Sequence, residues 1–169
     1  KLHQAVDFDM PEGTPVTAAR EGLVVDLQTG FTQGAADPRF IDKANWVKLQ
    51  HADGTVATYA HLSAGAPLVQ VGQWVSVGQV IGASGNTGYS SGPHLHFCVA
   101  KPVVTAVGMV EICLPVQFVT GQPAQVFRPQ EGLVVMANDK SPAFVGFRDA
   151  GVWGRPTNQW LPNKDGAAQ

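Results

Sequence analysis

Cysteine is scarce in this chain: two residues of 169, Cys98 and Cys113. That excludes a scaffold built from several disulfides and a zinc-thiolate cluster. Charge is sparse as well. Only 14% of residues are charged and the formal net charge is −2, which gives no electrostatic footprint for nucleic acid or an anionic membrane surface. No apolar run approaches the ~20 residues that a transmembrane helix needs. Strong helical periodicity is missing throughout. Histidine is confined to the first 96 residues, at positions 3, 51, 61, 94 and 96.

What is present points to β-structure. With 44% hydrophobic residues, 19 Gly and 12 Pro, the composition suits short strands joined by tight turns and is far from that of a disordered chain. Runs of Val, Leu and Ile punctuated by Gly, Pro and Asn predict strands over 15–19, 22–28, 45–51, 55–61, 74–76, 79–83, 94–100 and 111–118. The segment 29–44, "TGFTQGAADPRFIDKA", reads as a long surface loop of the kind that carries function. From about residue 122 the texture becomes richer in Pro and Trp. "EGLVV" recurs at 21–25 and 131–135, too short a match to make a repeat. The expectation is an all-β domain over 1–121 with a short C-terminal extension over 122–169. The chain begins at Lys1 rather than Met and reads as a fragment or a processed product, with any signal peptide outside it.

The stretch "SGPHLHF" is where chemistry enters. On a strand, alternate side chains share a face, so His94 and His96 point together while Leu95 and Phe97 point into a core. The same counting puts His3 and Asp7 of "HQAVD" on one face. Two histidines and an aspartate are N and O ligands suited to Zn²⁺ with one position left open. An open site with so few thiolates reads as catalytic rather than structural. Asp9 shares the face of Asp7 and is a competitor for the ligand role, but reads as a solvated acid. His51 reads as a turn or strand-edge residue.

Taken in order, "HQAVD", "PEGTPVTAAREGLVV", "HADGTVATYAHLS", "VGQWVSVGQVIGASGNTG" and "SGPHLHF" resemble the lysostaphin-type (LytM-like) zinc metallopeptidases, which cut peptide stems or cross-links of peptidoglycan. The resemblance covers residues 3–118. It implies a twisted antiparallel sheet with a groove, walled by the loops 29–44 and 84–93. Residue by residue, it implies His3, Asp7 and His96 as zinc ligands, His94 as the catalytic histidine that acts on the water, and His61 as a second catalytic histidine that helps to hold the polarised carbonyl oxygen. The implied partner is a peptidoglycan peptide and the implied address is periplasmic or secreted, with no nucleic acid; oligomeric state is left open. Two positions depart from the family pattern: Ala5 stands where Gly is usual, and Cys98 where an acid often follows the H-x-H phenylalanine.

Two other readings stay open. One is a catalytically weak or inactive module on the same fold that regulates another cell-wall hydrolase. The other is a lipoyl- or biotinyl-carrier-like barrel, suggested by "VGQWVSVGQVIG"; that function needs a modifiable Lys, and residues 70–90 contain none. Finally, a hairpin symmetric between Cys98 and Cys113 would set the two cysteines directly opposite. Phe97 would then face Leu114 and Val99 face Ile112 on the core side, with 101–110 as the connecting loop, and the cysteines would lie within disulfide reach.

Overall fold

The computed structural model describes residues 4–65, 67–106, 108–120 and 125–130. His3, the first expected zinc ligand, and most of the C-terminal extension lie outside the described residues. The strands in chain order are β1 (Val6–Asp9), β2 (Pro15–Thr17), β3 (Gly22–Gln28), β4 (Gly34–Ala35), β5 (Trp46–Gln50), β6 (Val56–Ala60) and β7 (Trp74–Val75). They continue with β8 (Val80–Ala83), β9 (Gly88–Tyr89), β10 (His94–Thr105), β11 (Gly108–Cys113), β12 (Phe118–Thr120) and β13 (Gln125–Phe127). Among the described residues the only helical element is a single turn at Pro38–Phe40. The fold is all-β.

The main sheet runs β1-β10-β6-β5-β3-β7, antiparallel throughout, and β11 also pairs with β10. Period-two alternation sorts its side chains. Val6, Phe8, Val47, Leu49, Ala57, Tyr59, Leu95 and Phe97 are buried in one core, while Asp7, His94 and His96 remain on the open face. Behind the site strands the core is aromatic. Phe118 meets Phe8 at 6.0 Å and Phe97 at 5.8 Å between ring centroids, and Tyr59 meets Phe97 at 5.1 Å. Such pairs contribute beyond their buried area and brace β1, β6 and β10 against one another. The β12–β13 pair adds Phe127, stacked 5.9 Å from Phe118, so Phe127, within the expected extension, packs against the sheet's core.

The β10–β11 hairpin is longer than expected and shifted by two residues. Cys113 stands opposite Ala100, Ile112 opposite Lys101 and Glu111 opposite Pro102, and the strands reach Thr105 and Gly108. Ile112 is therefore exposed rather than packed in the core. The expected loop rests on Pro102 and Gly108 as its markers, yet both lie within strands. Val99 offers its carbonyl to Leu114 on the β11 side, so by alternation residue 102 directs its backbone away from β11. On that side β6 has already ended, its last pair being Ala100 with Val56. Proline has no ladder bond to lose there. The cysteines nonetheless form a disulfide, on a diagonal, with Cα atoms 5.9 Å apart.

The long segment 29–44 is also partly ordered by pairing. β4 lies parallel to β9, with Gly34 beside Gly88 and Ala35 beside Tyr89, so the two expected groove walls are zipped together. A Cβ at Gly34 would overlap the carbonyl oxygen of Asn86, which is why glycine is needed at this crossing. Fully buried Asn45 ties the base of the walls: its amide donates to the carbonyls of Phe31 and Leu62, and its side-chain oxygen accepts from the Phe31 amide.

Candidate active site

Register builds the site. In the β1–β10 ladder Asp7 is directly opposite His96 and Asp9 opposite His94. On the other edge of β10, His96 is opposite Ala60 of β6. Three adjacent strands thus bring Asp7, His96 and the end of β6 to one spot on the open face. His96 Nδ1 donates to Asp7 Oδ1 at 2.8 Å, and His94 Nε2 lies 3.9 Å from the same oxygen.

His61 arrives by a different device. Along β6 the odd-numbered residues 57 and 59 face the core, so continued alternation would bury His61 beside Tyr59. Its backbone instead turns left-handed, at φ 61°, the one non-glycine residue with positive φ among those described. That conformation costs about 1–3 kcal/mol and concentrates at functional sites. It swings the imidazole back to the open face. There its ring lies 4.5 Å from that of His94 and 5.9 Å from that of His96, centroid to centroid.

Hydrogen bonds fix which nitrogen of each ring is used. His61 Nδ1 donates to the carbonyl of Thr87 at 2.6 Å, and His94 Nδ1 donates to the carbonyl of Gly92 at 2.8 Å. A carbonyl oxygen only accepts, so in both rings Nδ1 carries the hydrogen and Nε2 is the atom free for chemistry. Buried Ser90 steadies the second bond: its hydroxyl donates to the same Gly92 carbonyl at 2.7 Å and lies 3.2 Å from His94 Nδ1. Sequence reasoning named the histidines but not these supports. Thr87 and Ser90 sit in the loop 84–93, and backbone carbonyls leave no residue-type signature.

The electrostatics follow from this crowding. Burial alone would raise the Asp7 carboxyl, but the His96 hydrogen bond and the three neighbouring imidazoles outweigh it and hold the group below the ordinary carboxylate value. Burial pushes His61 below the ordinary imidazole value; the Thr87 bond opposes this, and His94 and His96 add to it. His51 stands apart. It is buried, with Nδ1 donating to the carbonyl of Glu21 at 2.7 Å, and it is structural, pinning the β3 and β5 ends.

Among the described residues no group of three or more His, Cys, Asp or Glu side chains forms a metal cage. The two expected ligands that are described, Asp7 and His96, present a carboxylate oxygen and an imidazole nitrogen at 2.8 Å from one another. Once the hydrogen between them is lost, this N,O pair on a rigid ladder would fit a zinc ion.

Residues 1–107 match the model of peptidase family M23. The chain belongs to peptidase family M23. Among M23 relatives, the peptidoglycan DD-endopeptidase ShyA of Vibrio cholerae is 43% identical over 95 residues, which is 56% of this chain and 19% of that protein. The DD-carboxypeptidase/endopeptidase Mpg of Neisseria meningitidis is 34% identical over 131 residues, 78% of this chain and 27% of that protein. The solved catalytic domain of the antimicrobial peptidase lysostaphin from Staphylococcus simulans shares 34% identity, covering 64% of this chain and 74% of that one, with a TM-score of 0.48. The chain thus spans between 19% and 27% of the two curated relatives named here. Among the described residues no helix is long and apolar enough to cross a membrane.

Proposed function

We propose that this chain is a zinc-dependent endopeptidase that hydrolyses peptide bonds in the stem or cross-link peptides of bacterial peptidoglycan. The observation that carries the reading is the convergence of Asp7, His61, His94 and His96 on one open sheet face, in a chain of family M23. Asp7, His96 and His3 would hold the ion. Bound there, zinc supplies Lewis-acid polarisation and brings the pKa of water toward neutrality.

The chain's own residues supply the proton handling. His94, with Nε2 3.9 Å from Asp7 Oδ1, is the general base at Nε2, its ring oriented through Nδ1 by the Gly92 carbonyl and Ser90. His61 lies against it with Nε2 also free. In the tautomer fixed by Thr87, His61 holds a developing oxyanion only once Nε2 has gained a proton. The two rings lie 4.5 Å apart, centroid to centroid, so base and donor act side by side on one substrate. The strands make the arrangement rigid, which suits a site whose geometry must be set before substrate arrives.

A cell-wall substrate puts the protein in the periplasm or outside the cell. The Cys98–Cys113 disulfide supports that address, because such bonds persist in oxidising compartments. Metal analysis of the purified chain, followed by digestion of defined peptidoglycans with product masses, tests the reading. One zinc per chain and a single class of cleaved peptide bond are expected. Bound zinc with no cleavage of any cross-link type would transfer the assignment to a regulatory module.

A further inference from the structure

The left-handed conformation of His61, at φ 61°, is strained, and such a residue keeps its place only where its surroundings over-determine it. The restraint acts on the next residue, Leu62. Its amide donates to the Asn45 carbonyl at 3.2 Å. Its own carbonyl accepts twice, from Asn45 Nδ2 at 3.1 Å and from Thr87 Oγ1 at 2.8 Å. The Thr87 hydroxyl in turn accepts from the Asn45 amide at 3.0 Å. Asn45, Leu62 and Thr87 are each 3% exposed or less. Bulk water therefore cannot replace a lost partner, and every bond removed leaves a buried polar group unpaired.

The same threonine orients the imidazole. Its carbonyl takes the hydrogen of His61 Nδ1 at 2.6 Å. That carbonyl shares a peptide plane with the Gly88 amide, which donates to the Gln33 carbonyl at 3.1 Å. With its side chain tied to Asn45 and its peptide plane tied to Gln33, Thr87 presents an acceptor of fixed direction. The approach is close enough that a Cβ at Gly88 would overlap Ala44, the neighbour of Asn45. One buried network thus fixes both the backbone that aims the ring and the carbonyl that selects its tautomer.

Building on the peptidase reading above, we propose that Asn45 and the Thr87 hydroxyl are positioning residues for His61, holding its imidazole on the open face with Nε2 free. Without this clamp His61 relaxes toward the extended conformation of β6, whose alternation carries the ring toward the core and away from His94. Two substitutions in the full chain separate the hydroxyl from the bulk of the side chain. Thr87→Val keeps the volume and removes the hydroxyl, and Thr87→Ser keeps the hydroxyl. On a peptide that the parent cleaves, Thr87→Val should lower kcat about tenfold or more, the scale of a misplaced catalytic group, with KM within about twofold. Thr87→Ser should recover most of that loss, and Asn45→Ala should match Thr87→Val. Proton–nitrogen correlation NMR of the histidine rings, with His61 assigned by its absence from His61→Ala, gives a second readout. Hydrogen on Nδ1 is expected in the parent and Thr87→Ser, and a mixture of both tautomers in Thr87→Val. A merely structural role would lower thermal stability and leave kcat and the tautomer as in the parent; that result, or equal losses in the Ser and Val variants, overturns the proposal. If no peptide is cut, the peptidase reading fails by itself and the ring spectra still decide: a mixture confined to Thr87→Val upholds the clamp, and an unchanged tautomer ends it.

Discussion

His96 and Asp7, 89 residues apart in sequence, are joined by a 2.8 Å hydrogen bond because β1 and β10 place them as direct cross-strand neighbours. On the proposed reading both are zinc ligands. Asp7→Ala and His96→Ala should each drop bound zinc from one per chain to well below stoichiometric, since removing one of three ligands leaves too few bonds. Metal content by elemental analysis, on variants shown by circular dichroism to keep their β-structure, checks this. Full occupancy in both variants would sink the ligand assignment.

The second pair of histidines should separate from the first. His94→Ala and His61→Ala are expected to keep their zinc and lose about 10²-fold or more in kcat, the scale of removing a general base or an oxyanion donor. Parent-like turnover in either variant would mean that the residue is a bystander.

Cys98 and Cys113 close a loop with a sequence separation of 15. Restricting the unfolded chain over ~15 residues corresponds to about 3 kcal/mol. Replacing both with Ser should lower unfolding stability by roughly that amount in a denaturant titration. Thiol titration of the unreduced, denatured parent should find no free thiol; two per chain would contradict the bond.

Tyr59 supplies a pH test away from the site. It is buried, and burial pushes its phenol well above the ordinary value of 10.0, only partly opposed by the bond its oxygen accepts from the Ala19 amide. Below the unfolded-state value both states hold the proton and stability is unaffected. Above it the unfolded chain releases the proton and the folded one does not, so stability should fall as pH rises past about 10. Tyr59→Phe should remove this alkaline slope while losing about 1–3 kcal/mol at neutral pH, because the Ala19 amide is left unsatisfied. Urea melts from pH 8 to 11 measure both effects.

The sheet was legible in the sequence because its strands alternate cleanly: 94–97 reads polar-apolar-polar-apolar, and the structure keeps that order. Asp7, His94 and His96 follow the same rule and could be grouped by counting in twos. His61 breaks the rule. Only the motif resemblance brought it to the site, since no local pattern announces a left-handed histidine. The β10–β11 register was missed because the role of Pro102 depends on where β6 ends, which is a tertiary fact. The parallel zipper of β4 with β9 escaped for a similar reason: a pairing of two residues in each strand has no period to detect.

One feature of β10 limits how a ligand can meet it. β1 pairs with it from His94 to Phe97 and β11 continues along the same edge from Ala100, while β6 takes the opposite edge from His96 to Ala100 and the His94 amide is bonded to Gly85. A peptide approaching His94 and His96 finds no spare main-chain rung to join. It must lie across the strand and be gripped from above by imidazoles and carboxylate. Inhibitors shaped as an extra sheet strand would have nothing to zip onto at this point, whereas flat head-on chelators would meet the groups that matter.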